Sequence, residues 1–302
     1  MSDTVAVLIV TRNRALPLRR CLASLACQTT TPDEIVVVDN GSSDDTAAVI
    51  ASFESSLPIK CVSERPPSIP RGRNIALRNA TTDLALFLDD DCVADPAWIS
   101  ETLKAAATHT TASAIQGRIE PSAIRLVGKA VAFNNSAYVG RYYPSGREPG
   151  NLRYMATANL MLRMKALAGM QQWFDESLPR SSDREFAARL RLANHVIVFC
   201  PQMVVTHDYD NRSFFSACGT FFHRAKGRIA VPEGTFKVTE DVRGFAGLLW
   251  DLARRIFADR SSGMWSKLGM LVLNGCFYFS SALGICYWSV AAFMRRRQSR
   301  SR

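Results

Sequence analysis

Leu84-Ala85-Leu86-Phe87-Leu88-Asp89-Asp90-Asp91 joins an apolar run to three consecutive carboxylates. Such a run suits one buried strand of a parallel sheet. Open α/β sheets bind ligands outside the carboxyl ends of their strands. Crowded carboxylates at that place repel one another unless a cation sits among them. Hard divalent cations such as Mg²⁺ take one or two carboxylates together with substrate phosphates. The structural alternative is a solvated acidic turn leading into the next helix at Asp95-Pro96.

Working outward, the first half alternates strand and helix. Val5 to Val10 is a continuous apolar strand, and an amphipathic helix is predicted from Leu16 to Gln28 with Leu18, Cys21, Leu22 and Leu25 on one face. Glu34 to Asp39 is a second strand, with Asp44-Asp45-Thr46 as the N-cap region of a helix beginning near Ala47. Ile59 to Val62 is a third, edge strand, and Ile75 to Asn79 a helix before the strand Leu84 to Leu88. Strands separated by helices imply βαβ units with right-handed crossovers. The strand ends near Thr11, Asp39 and Asp89 should therefore gather on one edge of the sheet.

These segments, in this order, resemble a family 2 glycosyltransferase with the GT-A fold. The residues that carry the resemblance are Val10-Thr11-Arg12-Asn13-Arg14, Val37 to Thr46, Arg71-Gly72-Arg73-Asn74-Ile75-Ala76 and Phe87-Leu88-Asp89-Asp90-Asp91. Ala158 to Arg163, Trp173-Phe174-Asp175-Glu176 and Ser182-Asp183-Arg184-Glu185-Phe186 follow downstream. Each motif alone is weak, and their order and spacing are specific across residues 4–228. The resemblance implies an α/β, Rossmann-like mixed sheet flanked by helices. It also implies sugar transfer from a nucleotide-diphospho-sugar.

The resemblance assigns roles residue by residue. Asp39 accepts from the imide N3–H of a uracil-type base, since an ionised carboxylate is acceptor-only; its Asp-Asn-Gly setting is also a turn signal. Thr11 and Arg14 contact ribose or phosphate, with a solvated helix position as the alternative for Arg14. Arg73 with Asn74, and less specifically Arg71, face the diphosphate from in front of a helix, a basic surface loop being the structural alternative. Asp91 is the main contact of a Mg²⁺ or Mn²⁺ ion, Asp89 lies nearer the ribose or the metal, Asp90 is placed among the donor-binding residues, and His207 lies at the metal or diphosphate, with a structural hydrogen-bonding role as its alternative. Asp183 stands where inverting members carry the catalytic base, with Ser182 in place of their glutamate and Glu185 as a fallback. An N-cap is the structural alternative for Asp183. Trp173-Phe174 is assigned to the acceptor side, or else to the core. The basic aromatic stretch Phe221 to Arg228 either closes over the diphosphate or forms an amphipathic helix. Ser136 to Gly150 is an acceptor-site loop.

The last quarter differs in character. Leu268 to Met294 holds no charged residue, about 27 positions against the ~20 that cross the hydrocarbon. Trp265, Trp288, Tyr278 and Tyr287 suit an interface. One span, a re-entrant hairpin and an in-plane helix are all compatible with the run, and a buried core helix is the soluble alternative. Phe245 to Phe257 is expected at the membrane surface. Five arginines in the last eight residues, within a formal net charge of +10, favour anionic lipid. No nucleic-acid motif accompanies that charge. The eight cysteines show no C-x-x-C pair and are expected to stay reduced. The start Met-Ser-Asp-Thr does not read as a signal peptide.

The expected organisation is a catalytic domain over 1–230 (nucleotide half 1–118, acceptor half 119–230), an interfacial region over 231–263 and a membrane segment with basic tail over 264–302. The expected activity is metal-assisted, inverting transfer from a UDP- or dTDP-sugar to a lipid-linked or cell-surface glycan, at the inner face of the plasma membrane. The Asp39-Asn40-Gly41-Ser42 form also resembles rhamnosyl- and galactofuranosyltransferases, which keeps dTDP-rhamnose among the donors. The alternatives are a sugar-phosphate nucleotidyltransferase and a non-catalytic nucleotide-sugar-binding membrane protein.

Overall fold

The computed structural model describes residues 3–142, 152, 154–170, 172–178, 180–210, 213–230, 250, 253–258 and 262–300. The chain divides into two compact units. The first comprises residues 1–121 and 143–207, the second 122–142 and 208–302. The boundary expected at 230 thus falls at 208, and residues 122–142 join the C-terminal unit. Most of the region 231–263 lies outside the described residues, as do 143–150 of the expected acceptor loop; 136–142 of that loop are helical.

The first unit is built on a mixed sheet ordered β3-β2-β1-β4-β7-β6-β8-β5. Its strands are β1 (Val5–Thr11), β2 (Glu34–Asp39), β3 (Ile59–Ser63), β4 (Leu84–Leu88), β5 (Cys92–Ala94), β6 (Ala112–Ser122), β7 (Asn159–Arg163) and β8 (Val196–Asp208). Strands β1 to β4 run parallel, and β7 joins β4 antiparallel. Every residue of β4 is buried, which explains its unbroken apolar run. The strand order reverses at the β1–β4 neighbours, and an open sheet of this kind binds ligands in the crevice at that point.

Helices α1 (Ala15–Ala26), α2 (Thr46–Ala51), α3 (Ile69–Asn79), α4 (Trp98–Thr108) and α6 (Ser182–Leu192) belong to this unit. The apolar face of α1 is the expected one, Leu18, Cys21, Leu22 and Leu25. Helix α3 starts six residues before the expected Ile75, so Arg71, Arg73 and Asn74 lie within it rather than ahead of it. Ser68 caps it by accepting from the Arg71 N–H, and Pro70 sits in the first turn, where no intrahelical N–H is needed. A Cβ on Gly72 would stand 2.8 Å from Val10 Cγ1, so glycine lets α3 press against β1. Pro70 and Gly72 thus serve as a helix start and a packing contact.

The second unit contains α5 (Leu126–Tyr142), α7 (Phe214–Ala230) and α8 (Met264–Arg300). Its core joins Ala130, Val131, Tyr209, Ala217, Phe221, Met270 and Phe277. Phe221 of α7 stacks on Phe277 of α8 with ring centroids 4.9 Å apart. The basic aromatic stretch is therefore the amphipathic-helix alternative. The segment after 264 is one continuous helix, which excludes the hairpin.

Candidate active site

Strand register assembles the site. Thr11 ends β1 and pairs with Asp39 at the end of β2. Thr11 is buried, and its hydroxyl donates to Asp90 Oδ2 at 2.7 Å across 79 residues of sequence. The loops after β1 and β2 are sewn together. Asn13, at φ 51°, donates its N–H to Ser42 Oγ at 3.0 Å and accepts from the Ser43 N–H at 2.7 Å. Asp39 Oδ1 accepts from the Ser42 N–H at 2.9 Å, and Gly41 takes φ +77°, so the turn reading of Asp-Asn-Gly holds.

The three aspartates part company after β4. Asp90 and Asp91 are buried, and Arg14 serves both: Nε lies 3.1 Å from Asp90 Oδ1 and Nη2 2.5 Å from Asp91 Oδ2. Burial works against the Arg14 charge, but Asp91, Asp90 and Asp89 more than offset it and hold its proton more tightly than usual. Burial, with the neighbouring Asp91 charge, pushes the Asp90 carboxyl up to about 7, against the pull of Arg14 and Thr11. Asp89 keeps 37% of its side chain open, 4.0 Å from Arg73 Nη2. It is nonetheless hemmed in by protein, and this desolvation raises its carboxyl despite Arg73; the Asp91 and Asp183 charges add to the rise.

Asp91 also meets β8. Cys92 and His207 are register partners, and His207 Nε2 lies 3.0 Å from Asp91 Oδ1. One ligand atom from each of Asp91, Cys92 and His207 falls within a 4.8 Å group. A carboxylate suits Mg²⁺ or Mn²⁺, and an imidazole beside it favours a transition ion such as Mn²⁺ over Mg²⁺. The Cys92 thiol is a soft donor and suits neither of these hard ions, and burial with the adjacent carboxylates pushes its pKa well up. Asp89, expected among the ligands, lies outside this group and faces Arg73 Nη2 at 4.0 Å. The donor set thus fits a divalent cation at Asp91 and His207.

Arg73 bridges two elements. Nη1 donates to Ser182 Oγ at 3.2 Å, and the guanidinium lies over the Phe174 ring at 5.5 Å. Ser182, buried, opens α6, and Asp183 follows it, half-buried, with Oδ1 accepting from the Arg184 N–H at 2.8 Å. Two expectations change here, those for Asn74 and Glu185, and Phe174 takes its core alternative. Asn74 does not face the diphosphate: it is 1% exposed, its amide donates to Phe174 O and Glu176 Oε1, and it accepts from the Phe174 N–H, each at 2.9 Å. Glu185 is not available as a base. It is buried and gripped by Arg189, whose guanidinium also donates to Gln172 O and Trp173 O. Phe174 is core, packed between Phe87 and Phe186 at 5.5 and 5.0 Å. Arg71 pairs with Glu64 at 2.6 Å.

The glycosyl transferase family 2 sequence profile matches residues 6–169. Validoxylamine A glucosyltransferase of Streptomyces hygroscopicus subsp. limoneus is 38% identical over 117 residues, covering 37% of this chain and 26% of that protein. The succinoglycan biosynthesis protein ExoM of Rhizobium meliloti is 27% identical over 176 residues, 56% of this chain and 54% of the other. This chain therefore spans about a quarter of the Streptomyces relative (26%) and about half of ExoM (54%). Among solved structures, the mannosyltransferase PcManGT from Pyrobaculum calidifontis in complex with GDP-Man and Mn²⁺ superposes with a TM-score of 0.60 at 17% identity. The match covers 97% of this chain and 87% of that one. S. aureus TarS 1-349 in complex with UDP-GlcNAc gives 0.58 at 17% identity, over 92% and 81%. These likenesses establish the fold, and the profile removes the nucleotidyltransferase alternative: the chain belongs to glycosyl transferase family 2.

Proposed function

We propose that this chain transfers a sugar from a UDP- or dTDP-sugar to a hydroxyl of a lipid-linked or cell-surface glycan, by an inverting displacement at the membrane's cytoplasmic face. The observation that carries the reading is the meeting of Thr11, Asp39, Asp89–Asp91 and His207 with Arg73 and the start of α6. Asp39 accepts from the imide N–H of the base, which selects uracil or thymine over cytosine. Thr11 and Arg14 hold Asp90 and Asp91 in place behind the donor. A divalent cation at Asp91 and His207 would supply Lewis-acid stabilisation of the diphosphate leaving group. Arg73 sets Asp89 and Ser182 in a fixed relation, and Asp183 takes the proton of the acceptor hydroxyl as that oxygen attacks the anomeric carbon. The Streptomyces and Rhizobium relatives, named for a glucosyltransferase and for succinoglycan biosynthesis, support a glycan or glycoside acceptor. The helix Met264–Ala291, whose most apolar 18-residue stretch has a mean hydropathy of 1.6, supports a membrane location.

The test is transfer and hydrolysis from a panel of UDP- and dTDP-sugars with Mn²⁺, in wild type and Asp91→Asn. Wild type is expected to turn over a donor, and Asp91→Asn to lose both turnover and the metal-dependent gain in donor affinity while still folding. Donor binding without transfer or hydrolysis from any sugar would favour the non-catalytic binding protein. A variant that keeps the metal-dependent gain and full turnover would remove Asp91 from the metal.

A further inference from the structure

We propose that α8 lies in the plane of an anionic lipid surface, half immersed along one face, and does not cross the bilayer. The inference deepens the membrane location proposed above and is independent of the sugar-transfer reading. One face of α8 is already used. Met270, Asn274, Phe277, Tyr278, Ser281 and Gly284 are buried, and they recur at helical spacing. Leu126 of α5 would meet a Cβ on Gly269 at 2.7 Å, and the Asn134 amide of α5 donates to Asn274 Oδ1 at 3.2 Å. Phe222 O of α7 would meet a Cβ on Gly284 at 2.3 Å, and Lys226 Nζ stands 5.3 Å from the centre of the Trp288 ring.

These contacts run from Gly269 to Trp288, a length of roughly 29 Å at 1.5 Å per residue, close to the full hydrocarbon thickness of ~30 Å. If α8 crossed the membrane, α5 and α7 would have to enter beside it. Neither is built for that. Over the described residues each is 17 residues long, at the lower edge of the ~17–25 that span. Helix α5 carries Lys129 and Asn135, and α7 carries Arg224, whose Nη1 donates to Asn135 Oδ1 at 3.2 Å, and Lys226. The chain entering α5 comes from β6, and the chain after it returns to β7, a neighbour of β6 in the same sheet. A crossing by α5 would need a second crossing straight back.

The opposite face of α8 is apolar and exposed. Leu268, Val272, Phe279, Leu283 and Val290 form a stripe at alternating four- and seven-residue intervals, with Trp265 and Tyr287 on its flanks. Charge identifies the occupant. From residue 253 to the end, nine basic residues stand against one acidic residue, and they bracket the stripe at Lys267 and at Arg295-Arg296-Arg297. An apolar stripe with aromatic flanks and basic ends fits the headgroup and acyl boundary of an anionic membrane. A second copy of the chain would bring the same positive charges together.

The experiment uses the full chain in two assays. Flotation with phosphatidylcholine vesicles, with and without phosphatidylglycerol, is expected to show binding that depends on the anionic lipid. Phe279→Glu with Leu283→Glu should weaken binding by about tenfold or more, because the apolar area entering the acyl boundary carries the affinity. Far-UV circular dichroism and nucleotide binding should be unchanged. In a bacterial host, a fluorescent protein fused after Arg302 should fluoresce in the cytosol, and a phosphatase fused there should be inactive. An active periplasmic phosphatase would overturn the in-plane assignment in favour of a span. A vesicle-indifferent, soluble dimer broken by the double variant would overturn it in favour of a second copy. Transfer assays on the same preparations report separately on the catalytic reading.

Discussion

Arg73 Nη1 lies 3.2 Å from Ser182 Oγ, so the third helix holds the residue next to the proposed base. The same guanidinium faces Asp89 at 4.0 Å. One side chain thus stands between Asp89 and the start of α6. Arg73→Lys keeps a charge but loses the planar fork that reaches two partners at once. Its expected effect is a fall in kcat larger than the rise in donor KM, with Ser182→Ala reproducing a milder form. A change confined to donor KM would return Arg73 to a simple diphosphate contact.

Asp183 and Glu185 separate a chemical role from a structural one. Asp183→Asn is expected to lower transfer by roughly 10² or more with donor affinity kept, the range for a lost general base. Glu185→Gln leaves Arg189 without its carboxylate and should cost about 1–3 kcal/mol of stability with little change in rate per folded molecule. Paired rate and denaturation measurements decide between them. Unchanged transfer by Asp183→Asn at saturating acceptor would end its assignment as base.

Asn74 clasps the Phe174 backbone through both ends of its amide. Asn74→Ala should destabilise the first unit by about 1–3 kcal/mol, since a buried N–H and C=O lose their partners. Donor affinity of the folded fraction should stay near wild type. A variant of normal stability with a tenfold loss of donor binding would show the opposite role.

The Asp90 carboxyl, raised to about 7, makes stability fall with rising pH. Below about pH 4 the group is protonated in both states, so its full contribution is present there. Between about pH 4 and 7 the unfolded chain releases the proton while the folded chain keeps it, and stability drops. In chelator, the denaturation midpoint should decline across this window, and Asp90→Asn should flatten the decline. An equal slope in the variant would mean that Asp90 is ionised throughout.

The sequence by itself determined the strands and the ends they share. Val5–Thr11, Glu34–Asp39 and Leu84–Leu88 are legible because strands buried on both faces must be unbroken apolar runs. Thr11, Asp39 and Asp89 to Asp91 follow from those runs, since parallel strands bring their carboxyl ends to one edge. Only the tertiary structure decided what each polar side chain does there. Asn74 meets Phe174, Glu185 is held by an arginine that reaches back to Gln172 and Trp173, and Arg14 closes on Asp91. A single amide or carboxylate carries no mark in sequence of the distant partner that will satisfy it. Helix periodicity has the same limit: the apolar residues of α8 encode two faces, and the packing of α5 and α7 decides which one is left exposed.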